Sequence, residues 1–103
     1  MPYKVKCLKL FQKDLDAIIE YIALKLGVPG AASALVSDVF ASIDRVAEFP
    51  YSCSLFACSK KLAPEYRMLT VRNYSIFYVV DEKNKTVKVY RILYGRRDFD
   101  SLL

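Results

Sequence analysis

The residues best suited to proton transfer near neutral pH are missing from this chain, which contains 0 histidines. Any acid–base step would fall to lysine, arginine, tyrosine or a carboxylate. Cys7, Cys53 and Cys58 are an odd number without regular spacing, and with no histidine they cannot complete a zinc site, so they read as reduced thiols of a cytoplasmic protein. No metal or cofactor is expected. What remains is a set of cations, and their placement is uneven. Residues 1–58 balance, with Lys4, Lys6, Lys9, Lys13, Lys25 and Arg45 against Asp14, Asp16, Glu20, Asp38, Asp44 and Glu48. The whole net charge of +5 comes from residues 59–103. There Lys60, Lys61, Arg67, Arg72, Lys83, Lys85, Lys88, Arg91, Arg96 and Arg97 face only Glu65, Asp81, Glu82, Asp98 and Asp100. A basic half suits an anionic partner, either nucleic acid or an acidic protein segment.

Each candidate also has a plain structural reading. Arg67 alternates with Leu69 and Val71, and Arg91 with Val89 and Leu93, so both could serve as partners for a helix carboxylate such as Asp14. Tyr74, Tyr78, Tyr90 and Tyr94 form a stripe that reads more readily as the edge of a core than as a platform for stacking bases. Lys60 and Lys61 read as solvated loop charges unless RNA is the substrate.

These side chains need elements to position them, and the apolar pattern supplies them. Residues 3–9 alternate as a half-buried strand does, with Tyr3, Val5, Cys7 and Lys9 on one face. From Phe11 to Leu26 the period changes to three and four, laying Phe11, Leu15, Ile18, Ile19, Ile22 and Leu26 along one stripe of a helix that Gly27 and Pro29 end. A second helix runs from Pro29 to about Phe49, with Ala32, Leu35, Val36, Val39, Phe40, Ile43, Val46 and Ala47 inward, and Pro50 stops it. The short connection makes the pair an antiparallel hairpin. Residues 51–64 read as a loop. Three strands follow, Tyr66 to Arg72, Tyr74 to Val80 and Thr86 to Tyr94, joined by turns at Asn73 and at residues 81–85. The expected fold is α+β: an N-terminal strand, the helical hairpin, and a three-stranded antiparallel meander in one sheet, all in one domain of 103 residues. No window approaches the roughly 20 apolar residues of a membrane span.

That order, with particular residues, resembles the RelE/ParE superfamily of toxins. The matching pieces are Lys13-Asp14-Leu15 with Ile18, Tyr21 and Ile22, then Pro29 with Ala31 and Ala32, and Phe49-Pro50. They continue in Tyr66-Arg67, in the run from Asn73 to Asp81, and in the run from Arg91 to Asp98. The resemblance implies a growth-inhibiting toxin of a plasmid-stabilising module, neutralised by a cognate antitoxin whose acidic C-terminal segment wraps it. It also implies one of two targets: RelE-like toxins cut messenger RNA in the translating ribosome, whereas ParE-like toxins poison DNA gyrase by binding.

Metal-free RNA cleavage needs a base, an acid and fixed cations for the charge growing on the phosphate. On the resemblance, Arg97 stands at the spacing of the family's catalytic arginine, and Arg67 stands where RelE has a lysine, which keeps the cation but not an easily deprotonated base. Ser75 replaces a further RelE arginine, and the chain ends at Leu103 where RelE continues into a tail bearing a tyrosine. Gyrase binding requires none of these groups, so the ParE-like target is favoured, with Lys60, Lys61, Arg72, Tyr74, Arg91, Tyr94 and Arg96 as contacts for target or antitoxin. A basic nucleic-acid-binding module without toxicity is a further reading, disfavoured because no helix is notably basic on one face.

Overall fold

The computed structural model describes residues 2–95 and 99–103. In chain order the elements are β1 (Lys4–Cys7), α1 (Lys9–Glu20), a π-helical turn (Tyr21–Lys25), α2 (Pro29–Glu48), β2 (Leu55–Phe56), β3 (Tyr66–Val71), β4 (Tyr74–Asp81), β5 (Thr86–Tyr94) and a terminal helical turn, α3 (Phe99–Leu102). The strands make one sheet in the order β1-β5-β4-β3-β2. The expected meander is β3, β4 and β5, with β3–β4 and β4–β5 antiparallel. β1 joins its far side, parallel to β5, with Lys4 opposite Thr86 and Cys7 opposite Val89.

One side of the sheet carries the helical hairpin. Phe11 and Leu15 of α1, and Leu35, Val39, Ile43 and Val46 of α2, pack on Val71, Ile76, Tyr78, Val87, Val89 and Ile92. The inward residues read from the sequence are largely the buried ones, with Ser42 added to them. Arg45 donates to its hydroxyl at 3.1 Å. Phe40 reaches the surface, where its ring meets Phe11 edge-on.

The sequence reading covers only this side. On the other side, Tyr66, Phe77 and Leu93 are buried in a second cluster with Phe56, Cys58, Met68, Val79, Tyr90, Phe99, Leu102 and Leu103. Two pieces within or beyond the expected loop and strands build it. β2 pairs with the start of β3, Phe56 against Tyr66, and α3 folds back so that Phe99 meets Phe56 and Phe77 at centroid distances of 6.1 and 5.0 Å. Asp100 fastens α3 to the preceding loop by accepting from the Ser59 backbone N–H at 2.6 Å and from its hydroxyl.

The expected tyrosine stripe is divided between the two sides. A β-bulge shifts the β4–β5 register between Phe77 and Tyr78, so that Tyr78 faces Val89 and Phe77 faces Arg91. The extra residue on β5 is Tyr90, which turns to the second cluster and meets Tyr66 edge-on at 5.3 Å. Tyr74 and Tyr78 stay on the helix side.

Tyr78 is fully buried and donates its hydroxyl to the Pro50 carbonyl at 2.9 Å, fixing the end of α2 to the sheet. Burial, more than any neighbour, pushes its pKa far above the ordinary tyrosine value of 10.0. The folded chain thus holds this proton more tightly than the unfolded chain. The resulting stability is complete below about pH 10 and declines as pH rises above it. Tyr78→Phe should cost about 1–2 kcal/mol at neutral pH, because the Pro50 carbonyl loses its donor. Denaturation midpoints from pH 8 to 11 check both parts: the wild type should lose more stability than the variant over that range, and parallel losses would refute the titration argument.

Candidate functional site

At the turn that joins the two helices of the hairpin, α1 does not finish as a regular helix. Leu26 N–H bonds to Tyr21 O at 3.0 Å, five residues back, and Val28 N–H to Ile22 O at 3.1 Å, six back. The second link closes over Gly27, whose φ of +68° is a left-handed cap conformation that side chains with a Cβ disfavour. Such π-helical turns occur often at functional sites. Here the wide turn leaves Tyr21, Leu24, Leu26 and Val28 exposed on the tip.

Between this tip and the end of the sheet lies a groove of about 710 Å³. Ala17, Ile18, Tyr21, Ile22 and Leu26 line it from the first helix and its π turn, Ala31 from α2, and Tyr74 and Tyr94 from the sheet. Tyr74 and Tyr94 are cross-strand partners at the β4–β5 end and meet edge-on at 5.2 Å. Tyr94 and Tyr21 are each 54% exposed. Burial, then the neighbouring Tyr94 and Tyr21, raises the pKa of Tyr74, so its hydroxyl stays neutral in the physiological range. The groove offers apolar walls that include the rings of Tyr21, Tyr74 and Tyr94, which suits the apolar stripe of a partner helix.

The cations named from the sequence are dispersed. Arg91 makes a bidentate pair with Asp14 of α1, Nε to Oδ2 at 2.7 Å and Nη2 to Oδ1 at 3.0 Å, and its Nη1 donates to the Leu102 carbonyl at 2.9 Å. Hydrogen bonding to that carboxylate raises its pKa above the ordinary arginine value. Asp14 also accepts from Ile92 N–H at 3.2 Å, which satisfies the edge of β5 where β1 has ended. Arg67 finds no carboxylate among the described residues. Its Nη1 donates to the Cys53 carbonyl at 2.6 Å, and its guanidinium lies 5.0 Å from the centre of the Tyr51 ring. It braces the loop before β2.

Arg72 stands in the β3–β4 turn with φ of +54°, a conformation that glycine or asparagine adopts more readily, and both Nε and Nη2 reach Asp38 Oδ2 of α2, at 2.7 and 2.6 Å. Lys60 donates to the Ser101 carbonyl at 3.2 Å, and Lys61 is exposed beside it. Tyr74 and Tyr94 are the two candidates that the fold brings together. Arg96 and Arg97 lie outside the described residues, just beyond Gly95, whose φ of +68° lets the chain leave β5. Sequence reasoning missed the groove itself. Its signal was the pair of four-residue steps from Ile18 to Ile22 to Leu26, which overrun a 3.6-residue turn.

Over residues 5–99 the sequence matches the family described as the ParE toxin of type II toxin-antitoxin systems. The chain belongs to this family. No sequence among the curated proteins matches it. Among solved structures, this ParE-family chain is similar to one from the chromosomal ParDE system of Pseudomonas aeruginosa, with a TM-score of 0.69 at 22% identity over 91% of this chain and 97% of that one. It is also similar to one in the RelBE2 toxin-antitoxin complex of Mycobacterium tuberculosis, at 0.61 and 19% over 91% and 99%. A third is in the RelE-RelB complex of Pyrococcus horikoshii, at 0.63 and 17% over 94% and 99%. At these identities the structures show a shared fold, the α+β fold of RelE and ParE toxins. Among the described residues no helix is long and apolar enough to cross a membrane, and no cluster of three or more potential ligands could hold a metal ion.

Proposed function

We propose that this ParE-type toxin acts in the cytoplasm by binding DNA gyrase, and that a cognate antitoxin silences it by laying an acidic, amphipathic C-terminal segment into the groove at the hairpin tip. The observation that carries the reading is the engagement of the two strand arginines. Arg91 is held by Asp14 and the Leu102 carbonyl, and Arg67 by loop carbonyls. Both therefore support the scaffold, and neither is free to follow a phosphate through its transition state. With Ser75 in place of a further cation, the described surface resembles a binding platform more than a nuclease centre. The groove favours an antitoxin segment that folds on contact, because such a segment needs apolar anchors to offset its ordering entropy.

The test uses purified toxin in two assays. Supercoiling by gyrase should be inhibited, and the inhibition should disappear when the antitoxin is added. Arg97→Ala should weaken that inhibition by about 1–3 kcal/mol if the residue lies at the centre of the interface. Ribosome-bound messenger RNA should stay intact. Cleavage by the wild type that vanishes in Arg97→Ala would overturn gyrase as the target and favour the RelE-like reading, since loss of a charge-stabilising group costs about 3–4 kcal/mol in the chemical step.

A further inference from the structure

The side of the sheet away from the hairpin has two unlike halves. Over β2, β3, β4 and the C-terminal half of β5 it is covered by the second apolar cluster and α3. Over β1 and the N-terminal half of β5 it carries lysines. Tyr3 and Cys7 pack against the hairpin core, so strand alternation turns Lys4 and Lys6 to the opposite side. Val87 and Val89 are buried beneath the hairpin, and Lys88 between them turns the same way as Lys4 and Lys6. The parallel register sets Lys6 directly beside Lys88. Neither the Lys4 nor the Lys6 side chain has a hydrogen-bonding or ionic partner among the described residues, and both residues are exposed. Asp81 lies 3.4 Å from Lys88 and offsets only part of the charge.

Like charges placed side by side across strands destabilise a sheet, so the arrangement is unfavourable for the isolated chain and favourable against a polyanion. Counting charge along the sequence conceals it. Residues 1–13 hold four lysines and no carboxylate, and the parallel pairing carries two of those lysines to the basic C-terminal half.

We infer that this lysine strip is a docking surface for the phosphate backbone of duplex DNA. Lys4 and Lys6 stand about 6.6 Å apart along the strand, close to twice the ~3.4 Å axial spacing of phosphates on one DNA strand. Lysine is a compact point charge on a flexible stem and suits backbone attraction without base recognition. An acidic peptide that folds on contact needs apolar anchors as well, and those line the groove on the hairpin side instead. The inference goes beyond gyrase binding, since it requires only free DNA.

The experiment measures fluorescence anisotropy of a labelled duplex titrated with the purified chain, its Lys4→Gln/Lys6→Gln/Lys88→Gln variant, and a fluorescent polyglutamate peptide as competing ligand. Three phosphate contacts predict that raising salt from about 50 to 200 mM weakens wild-type binding by a factor of about 40. In the variant the log–log salt slope should fall by about 0.9 for each lysine removed. Circular dichroism establishes that the variant is folded, and a Lys4→Arg/Lys6→Arg/Lys88→Arg variant, which keeps the charge, should bind as the wild type does. Equal DNA affinity of the wild type and the glutamine variant would overturn the proposal. So would no binding at 50 mM salt, or tighter binding of polyglutamate than of DNA at equal charge, which would assign the strip to an acidic protein.

Discussion

Asp14→Ala should remove about 3 kcal/mol of stability, although the residue lies on a helix and outside both hydrophobic clusters. Its carboxylate accepts three hydrogen bonds, two from Arg91 and one from Ile92 N–H. Both side chains of the pair are largely withdrawn from water, at 18% and 16% exposure. Cutting it to a methyl leaves a partly buried guanidinium without its counter-charge and a strand-edge N–H without an acceptor, and breaking such a pair from one side costs about 3–5 kcal/mol. The lower end of that range applies because some water still reaches both groups. In a chain of this size, 3 kcal/mol corresponds to a Tm drop on the order of 12–24 °C. Asp14→Leu/Arg91→Met should recover much of the loss, since it removes the uncompensated charge along with its partner. Urea titration and thermal melts of the two variants decide it: an Asp14→Ala protein within about 0.5 kcal/mol of wild type would mean that solvent replaces the carboxylate fully.

The second large effect is expected on binding and not on folding. Tyr21 lines the groove from the π turn and Tyr94 from the sheet, and each keeps about half of its surface in water. Truncating both to alanine leaves the buried clusters untouched, so stability should change little. Against an antitoxin helix seated in the groove, the two rings would be central aromatic anchors, and their joint removal should weaken the complex by about 2–4 kcal/mol, a factor of roughly 30 to 1000. Most of the change should appear in the dissociation rate. Surface plasmon resonance with the cognate antitoxin reads it directly. An unchanged dissociation rate in a variant that melts like wild type would move the antitoxin to another surface.

Much of the architecture was legible in the sequence because most elements bury a single face. The three- and four-residue steps of α1 and α2 and the alternation of β3 place most of their inward residues, Phe40 and Leu26 excepted, and Gly27, Pro29 and Pro50 mark the breaks. The unexpected parts have local causes. β2 pairs over two residues, too few to show a period. The π turn keeps an apolar residue at every fourth position and passes for ordinary helix. The second cluster did leave a trace. Ile76-Phe77-Tyr78-Val79-Val80 is apolar without alternation, as a strand covered on both sides must be. The site was less legible than the fold, since a groove between Ile18 and Tyr94 depends on how distant elements meet. The engagement of Arg91 by Asp14 could be named from charge alone, whereas the carbonyl partners of Arg67 could not, because backbone acceptors leave no mark in a sequence.

The parallel pairing of β1 with β5 also orders events in time. Lys4 finds its partner only at Thr86, so roughly 80 residues must be added after the first strand is made. At about 5–20 residues per second, that leaves the strand unpaired for several seconds or more during synthesis. The helical hairpin can associate early, but the sheet it rests on is closed only when β5 has been made. A ribosome still translating this message therefore carries a chain that lacks the finished sheet edge. The toxin gains its complete sheet edge only after β5 has been made and has paired with β1.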